Sequence, residues 1–483
     1  MTISLLQWQL DKSARQSFVE QLFVQAKTAI ETGRWAAGEK LPSIRSLAAE
    51  LAVSKFTVSD LYDRLGAAGL VQAQAGSGVF VRAPRLISLQ LEAEHQQSEH
   101  ASDVLLMRQT LQRESDWMKV SAGWLGPDWL PDTLIRQGLR ELARQGQTLT
   151  DYGPAQGYFP LRQQLTDRLK AFGMELSPAQ LLLTHSASHA LDLLLRQLLR
   201  PGDAVLVDDP GFYNFFALLK LHQAVVLPIP RTQDGPDLTA LEQQLQQFRP
   251  RLYLTNSMLS NPSGASVKSH RAYQVLQLLK QHQVLLIEDD IYADFENTPG
   301  PRYASLTGLV DSVYLGSLSK TLSADLRVGF IAAAPALIAS LTDLKLITGM
   351  STSGSIERLM YLALTGGGYK RHLEQLRRRL SEARAKVQHE LQALGCSLPL
   401  KPEGGFLIWV RLPDGISSAV LSERLFAHQV LLAPGRQFSS QPDADQFTRL
   451  NVTQCLNREF WLLLGKELQS LALDQPPVQQ SRL

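Results

Sequence analysis

The chain has 483 residues, 44% of them hydrophobic and 19% charged, with a formal net charge of +2. At about 150 residues per unit this length suggests two or three domains, and the composition excludes a chain disordered throughout or built of collagen-like repeats. Cys396 and Cys455 are the two cysteines, too few for a disulfide framework or a cysteine-built metal cage, and both fit structural positions.

Residues 1–10 lack the basic start and long apolar run of a targeting segment. No window approaches the roughly 18 apolar residues of a membrane helix, so a cytoplasmic protein without a membrane partner is expected. Residues 1–85 carry ten Lys+Arg and seven Asp+Glu, a local excess of 10 − 7 = +3 that leaves −1 for the remainder. A surplus of that size is compatible with phosphate contacts and equally with an ordinary surface.

Over 13–32 the apolar residues Phe18, Leu22, Phe23, Ala26 and Ile30 recur at helical spacing, which predicts an amphipathic helix ending near Gly33. After a loop over 35–40, Ser43 is placed to cap a short helix with Leu47, Ala48 and Leu51 inward. Val53 fills the next turn, and Ser54 caps a third helix running to Leu65, with polar groups on its first turn. Phe56 and Tyr62 are expected in the core. Residues 70–73 and 79–81 read as two short strands around the tip Gly76-Ser77-Gly78.

Three helices with a tight turn between the last two, followed by a hairpin, form a winged helix-turn-helix whose third helix can enter a DNA major groove. The series Gly38, Leu41-Pro42-Ser43, Arg45, Leu47-Ala48, Val53-Ser54-Lys55, Thr57-Val58, Gly69 and Gly76-Ser77-Gly78-Val79-Phe80-Val81 resembles the GntR family over about 13–82. The resemblance implies that Arg45, Ser54, Lys55 and Thr57 contact phosphates and base edges of double-stranded DNA. It also implies that Gly76 lets the wing tip approach the backbone. Lys55 stands where the family commonly has arginine, which replaces a bidentate guanine contact by a point charge.

Between 83 and 116 the pattern weakens into a linker with one helix over 105–111. His95 and His100 have no further ligands beside them and read as solvated side chains; no metal is expected.

Beyond 177, apolar runs at 181–184, 204–207, 225–227, 252–255, 284–287, 313–315 and 328–332 alternate with helical patterns. This predicts an α/β domain with a mostly parallel sheet, whose ligands bind at the strand C-terminal ends. Among the residues there, Lys320 follows small hydroxyl residues and precedes Arg327 by seven positions. A Schiff-base lysine needs an amine that loses its proton near neutral pH, and a cofactor phosphate needs a fixed cation and donors. Lys320 is therefore the candidate for attaching pyridoxal phosphate, with Ser317 and Arg327 on its phosphate. Ser186-Ala187-Ser188 opens a helix whose N–H groups can receive a phosphate. Asp289 ends a strand where a carboxylate can pair with a pyridinium nitrogen.

Taken in order, these segments resemble fold-type I aminotransferases of the aspartate aminotransferase class, over about 117–470. The resemblance implies that Asp289 pairs with the pyridine nitrogen, that Tyr292 and Asn261 hydrogen-bond the ring hydroxyl, and that Phe212 stacks on the ring, with Tyr213 as its neighbour. Ser186, Ala187 and Ser188 would cradle the phosphate with Ser317 and Arg327. Tyr152 would reach the phosphate of a partner subunit, and Arg449 would grip a substrate α-carboxylate. Ser186 stands where the family often has glycine, and His189 where it commonly has glutamine.

The whole chain is thus expected to be multidomain: an α+β winged helix-turn-helix over 1–82, a linker over 83–116 and an α/β fold-type I aminotransferase-like domain over 117–483. That combination resembles the MocR subfamily of GntR transcription regulators. It implies head-to-tail homodimers in which the large domain senses pyridoxal 5'-phosphate or its adduct with an amino acid or other amine. A working aminotransferase carrying a DNA-binding module is the alternative reading, since the expected catalytic groups are present. A DNA-binding protein whose large domain only dimerises is the third.

Overall fold

The computed structural model describes residues 8, 10–11, 14, 16–31, 34–74, 77–82, 111, 117–146 and 150–474. The chain divides into two compact units, Met1–Ser98 and Glu99–Leu483. Apart from Leu111, the expected helix over 105–111 lies outside the described residues, as do His95, His100 and Gly76.

In the first unit, helix α1 spans Phe18–Glu31, α2 Ile44–Glu50 and α3 Lys55–Ala67, followed by strands β1, Val71–Gln74, and β2, Gly78–Val81. Helix α1 begins five residues later than its apolar spacing suggested. Ser17 is the reason: its Oγ accepts the N–H of Glu20 at 3.3 Å and its carbonyl accepts that of Gln21 at 3.0 Å. The caps of α2 and α3 are the expected serines, Ser43 accepting from Ser46 and Ser54 from Thr57. Leu22, Ala26 and Ala29 of α1 pack against Leu47, Val58, Leu61 and Leu65, and the core is closed by Trp35, Val71 and Val81. Tyr62 is buried as expected, its hydroxyl donating to the carbonyl of Pro42 at 2.7 Å. Phe56 is not: it is 84% exposed, because the inward face of α3 runs through Val58, Leu61, Tyr62 and Leu65 and position 56 falls on the opposite side. The two strands pair antiparallel from Val71 opposite Val81 to Gln74 opposite Gly78. Residues 38–41 run beside β2, where Leu41 donates to Val79 and Val81 to Glu39, both at 2.8 Å.

The second unit is built on an eight-stranded sheet of order β3-β10-β9-β8-β7-β4-β5-β6. Its strands are β3 Leu181–Thr184, β4 Ala204–Asp209, β5 Val225–Thr232, β6 Gly235–Pro236, β7 Leu252–Thr255, β8 Leu285–Asp289, β9 Ser312–Ser317 and β10 Gly329–Ala332. Strands β4, β5, β7, β8 and β9 pair in parallel, while β10 runs antiparallel to both β3 and β9. Both faces are buried in all the long strands but β5, with successive residues on opposite sides. Val205 and Val207 join the helix Ala187–Leu198 on one face, whereas Leu206 packs with Leu241 and Val275 on the other.

A second, three-stranded sheet of order β11-β13-β12 comprises β11 Leu407–Arg411, β12 Ala433–Pro434 and β13 Phe447–Asn451, all antiparallel. The apolar runs singled out from sequence end before it. Its core includes Cys396 and Cys455, both buried free thiols. No helix among the described residues is long and apolar enough to cross a membrane.

Candidate cofactor and effector site

Parallel pairing brings the ends of β4, β7, β8 and β9 to one edge of the sheet, and there eight of the expected side chains line a cavity that Asn261, Tyr292 and Arg449 do not line. Ser186, Ala187, Ser188, Phe212, Asp289, Ser317, Lys320 and Arg327 line one cavity. Ser319 and Asn214 also line it, without having been singled out from sequence. Ser319 was legible in hindsight as the hydroxyl residue directly before the lysine.

Lys320 lies just past the end of β9 and its Nζ donates a 2.5 Å hydrogen bond to the carbonyl of Gly123. Burial lowers its amine to about 8; Arg449 and Arg327 act in the same direction, and Asp289 opposes them. An amine so placed loses its proton close to neutrality, as covalent attachment to a carbonyl requires. Asp289, at the end of β8, is pushed up to about 7 by burial with help from Asp290, and Lys320 pulls the other way. Its Oδ1 accepts the N–H of Ile291 at 3.3 Å. A cationic ring nitrogen beside this carboxyl would favour the ionised form.

The side chains expected to take a phosphate form two walls of the cavity. One is the N-terminus of the helix Ala187–Leu198, capped by Ser186, whose Oγ accepts the N–H of His189 at 3.0 Å. Ser186 has φ −176°, extended backbone open to any residue, so glycine is not required there. His189 is tied back through its Nδ1, which accepts the N–H of His185 at 3.3 Å. The other wall is Ser317, Ser319 and Arg327. Ser317 Oγ lies 3.1 Å from Ser319 Oγ and donates to the carbonyl of Val328 at 3.0 Å. Arg327 is held at φ +51°, a left-handed conformation costing about 1–2 kcal/mol for a residue with a Cβ. Gly329 of β10 lies against the first wall: a Cβ there would sit 2.5 Å from the backbone nitrogen of Ala187. A helix N-terminus, the four serines 186, 188, 317 and 319 and an arginine are the kind of groups a phosphate monoester requires. With Lys320 and Asp289 lining the same cavity, the chemistry of this set fits pyridoxal phosphate.

Tyr292 and Asn261 are both buried, and Asn261 Nδ2 donates to the Tyr292 hydroxyl at 3.4 Å. Phe212 meets Tyr213 and Phe215 edge-on, at 4.9 and 5.3 Å between ring centroids. Arg449 rises from β13 into the same region, 2% exposed, with its guanidinium 4.6 Å from the ring of Phe438. Its Nη1 donates to Asn261 Oδ1 at 3.0 Å and its Nη2 to the carbonyl of Ser121 at 2.5 Å, while Nε has no partner among the described residues. An unsatisfied N–H on a buried cation suits an incoming carboxylate.

The segment 120–124 completes this corner, and nothing in its composition announced it. Asn451 holds it, donating from Nδ2 to the carbonyls of Ala122 and Trp124 at 2.8 Å each, and Ser121 Oγ donates to the carbonyl of Arg449 at 2.5 Å. Gly123 thus lies between Lys320 and Arg449; a Cβ on it would come within 3.8 Å of the guanidinium.

Tyr152 does not line this cavity. It is 76% exposed and borders a separate hollow with Gly153, Thr352, Ser353 and Arg358. In the first unit, Arg45 and Lys55 are exposed. Ser54 and Thr57 are engaged with each other: Ser54 Oγ accepts the Thr57 N–H at 3.0 Å and lies 2.8 Å from Thr57 Oγ1.

Two families match the chain. Residues 116–459 match the class I and II aminotransferases, and residues 19–81 match the gntR family of bacterial regulatory proteins. The HTH-type transcriptional regulator YdcR of Escherichia coli is 29% identical over 451 residues, 90% of this chain and 94% of that one. The 2-aminoadipate transaminase of Thermus thermophilus is 30% identical over 354 residues, 71% of this chain and 86% of the transaminase. Kynurenine aminotransferase of Pyrococcus horikoshii, solved in complex with PMP, superimposes with a TM-score of 0.72 at 25% identity, covering 80% of this chain and 100% of that one.

Proposed function

Because the chain belongs to the class I and II aminotransferase family and joins that domain to a gntR-family helix-turn-helix, we propose that this HTH-type transcriptional regulator senses pyridoxal phosphate, or its adduct with an amino compound, and answers by changing its affinity for DNA. The fusion is that of the MocR subfamily. Residues 1–82 act as the DNA-binding domain, 83–116 as the linker and 117–483 as the sensor, in a cytoplasmic protein. The observation that carries this reading is the convergence of Lys320, Asp289, Ser186–Ser188, Ser317 and Arg327 on one cavity.

When bound, pyridoxal phosphate supplies a carbonyl carbon that captures amines and a ring that acts as an electron sink. Lys320, whose buried amine is lowered to about 8, would hold it covalently. Asp289 fixes the ring nitrogen, Tyr292 and Asn261 the ring hydroxyl, and Phe212 the ring face. Ser186, Ala187, Ser188, Ser317 and Arg327 hold the phosphate, and Arg449 orients the effector carboxylate. In a head-to-tail homodimer Tyr152 reaches the phosphate of the partner subunit; its exposure outside the cavity of its own chain supports that role. An effector shifts DNA affinity only in so far as it binds the two states of the regulator unequally.

The test is capture of genomic fragments by the purified full chain with and without pyridoxal phosphate. Enrichment of one or a few sites that changes with cofactor is expected. Cofactor binding without any selected DNA overturns the regulator and favours the second reading, a working aminotransferase, which the intact set of Lys320, Asp289 and Arg449 supports. Steady turnover of an amino donor and an oxo acid at roughly 1 per second or faster would establish that activity.

A further inference from the structure

The first turn of α3 presents an aromatic ring to solvent. Phe56 is 84% exposed, whereas Val58 and Leu61 of the same helix are fully buried. Single exposed apolar residues are common, and exposure alone decides nothing. Position does, because the N-terminal residues of the second helix of a helix-turn-helix are those that meet base edges. In this turn Ser54 and Thr57 hydrogen-bond each other as a cap. Lys55 and Phe56 are the exposed side chains left to project from it. One turn on, Asp60 is paired with Arg64 at 3.2 Å.

The major groove displays hydrogen-bond donors, acceptors and a single apolar group, the C5-methyl of thymine. A phenyl ring offers no hydrogen bond, and set against a cytosine amino group it would leave that donor unsatisfied. We propose that Phe56 is a specificity-determining residue of the DNA-binding unit, reading thymine by packing its ring on the C5-methyl while Lys55 supplies the adjoining polar or phosphate contact. This inference rests on the DNA-binding reading above.

The experiment uses the full chain. Duplexes are selected from a random pool, and each thymine of the selected site is then replaced singly by deoxyuridine, which lacks only the methyl. At one or more positions the wild-type protein should lose about fourfold in affinity, the worth of burying one methyl-sized group. Phe56→Ala should bind the thymine duplex about as weakly as the wild type binds the uracil one, and be indifferent to the replacement there. Lys55→Ala should weaken every duplex yet keep the thymine-to-uracil ratio. A selected duplex with no uracil-sensitive position, or a ratio unchanged in Phe56→Ala, overturns the role of Phe56 and leaves DNA binding standing. Failure to select any duplex removes both.

Discussion

Asn261 joins Arg449 to Tyr292: its Oδ1 accepts a 3.0 Å hydrogen bond from the Arg449 guanidinium while its amide nitrogen donates to the Tyr292 hydroxyl at 3.4 Å. The group proposed for the effector carboxylate and the group proposed for the ring hydroxyl therefore share one side chain. Asn261→Ala would leave a second N–H of the buried guanidinium without a partner, at a cost of about 1–3 kcal/mol. Both cofactor and amino acid affinity should fall, roughly tenfold each, as read by spectroscopic titration. Loss of cofactor affinity alone would show that Arg449 is not the carboxylate group.

Lys320 must be neutral to attack a carbonyl, and its amine titrates at about 8. Most of it is protonated at pH 7. The rate of pyridoxal phosphate capture should rise roughly tenfold between pH 7 and pH 9 and then level, in stopped-flow absorbance at a fixed cofactor concentration. Lys320→Ala should abolish the visible absorption of the bound cofactor at every pH.

Asp289 has its folded value raised to about 7 from an ordinary carboxyl value. A raised carboxyl contributes stability that is present at low pH and is lost as pH rises through about 7, because the unfolded chain is then ionised while burial penalises the charge in the folded one. Asp289→Asn should therefore raise the Tm of the cofactor-free protein at pH 8, by roughly 2 °C or more, with the advantage shrinking below pH 6. The same variant should bind pyridoxal phosphate more weakly, since the anionic partner proposed for the ring nitrogen is gone. Calorimetry and titration on one preparation separate the two effects.

Gly329→Ala would place a methyl 2.5 Å from the Ala187 nitrogen, and the helix start would have to move. The expected cost is about 1–3 kcal/mol in stability, together with loss of cofactor affinity. Arg327→Gly makes the opposite separation. Glycine relieves the left-handed backbone at φ +51°, so folding should be unharmed while removal of the cation weakens phosphate binding. Equal Tm with at least a tenfold higher Kd for pyridoxal phosphate is the expected outcome.

Local pattern decided much of this protein. The serines at 43 and 54 cap their helices, the strands at 181–184 and 252–255 fall on their apolar runs, and Ser317, Lys320 and Arg327 stand together because they are close in sequence. Such features are set by hydrogen bonds and side-chain alternation over a few residues, which the sequence displays directly. What it did not display depends on chain crossings. Ser121 and Arg449 are 328 positions apart yet exchange hydrogen bonds in both directions, and Gly123, which accepts from Lys320, sits in a segment that Asn451 ties on both sides of it. The sheet carrying Arg449 includes β12, two residues long, too short for any periodicity to reveal. The sequence alone leaves Phe56 expected in the core, but which side of α3 faces inward is settled by the packing of Val58, Leu61 and Leu65 against α1 and α2. Burial of that kind is a property of the assembled unit, since an apolar residue finds its place only once the surfaces competing for the same core have met.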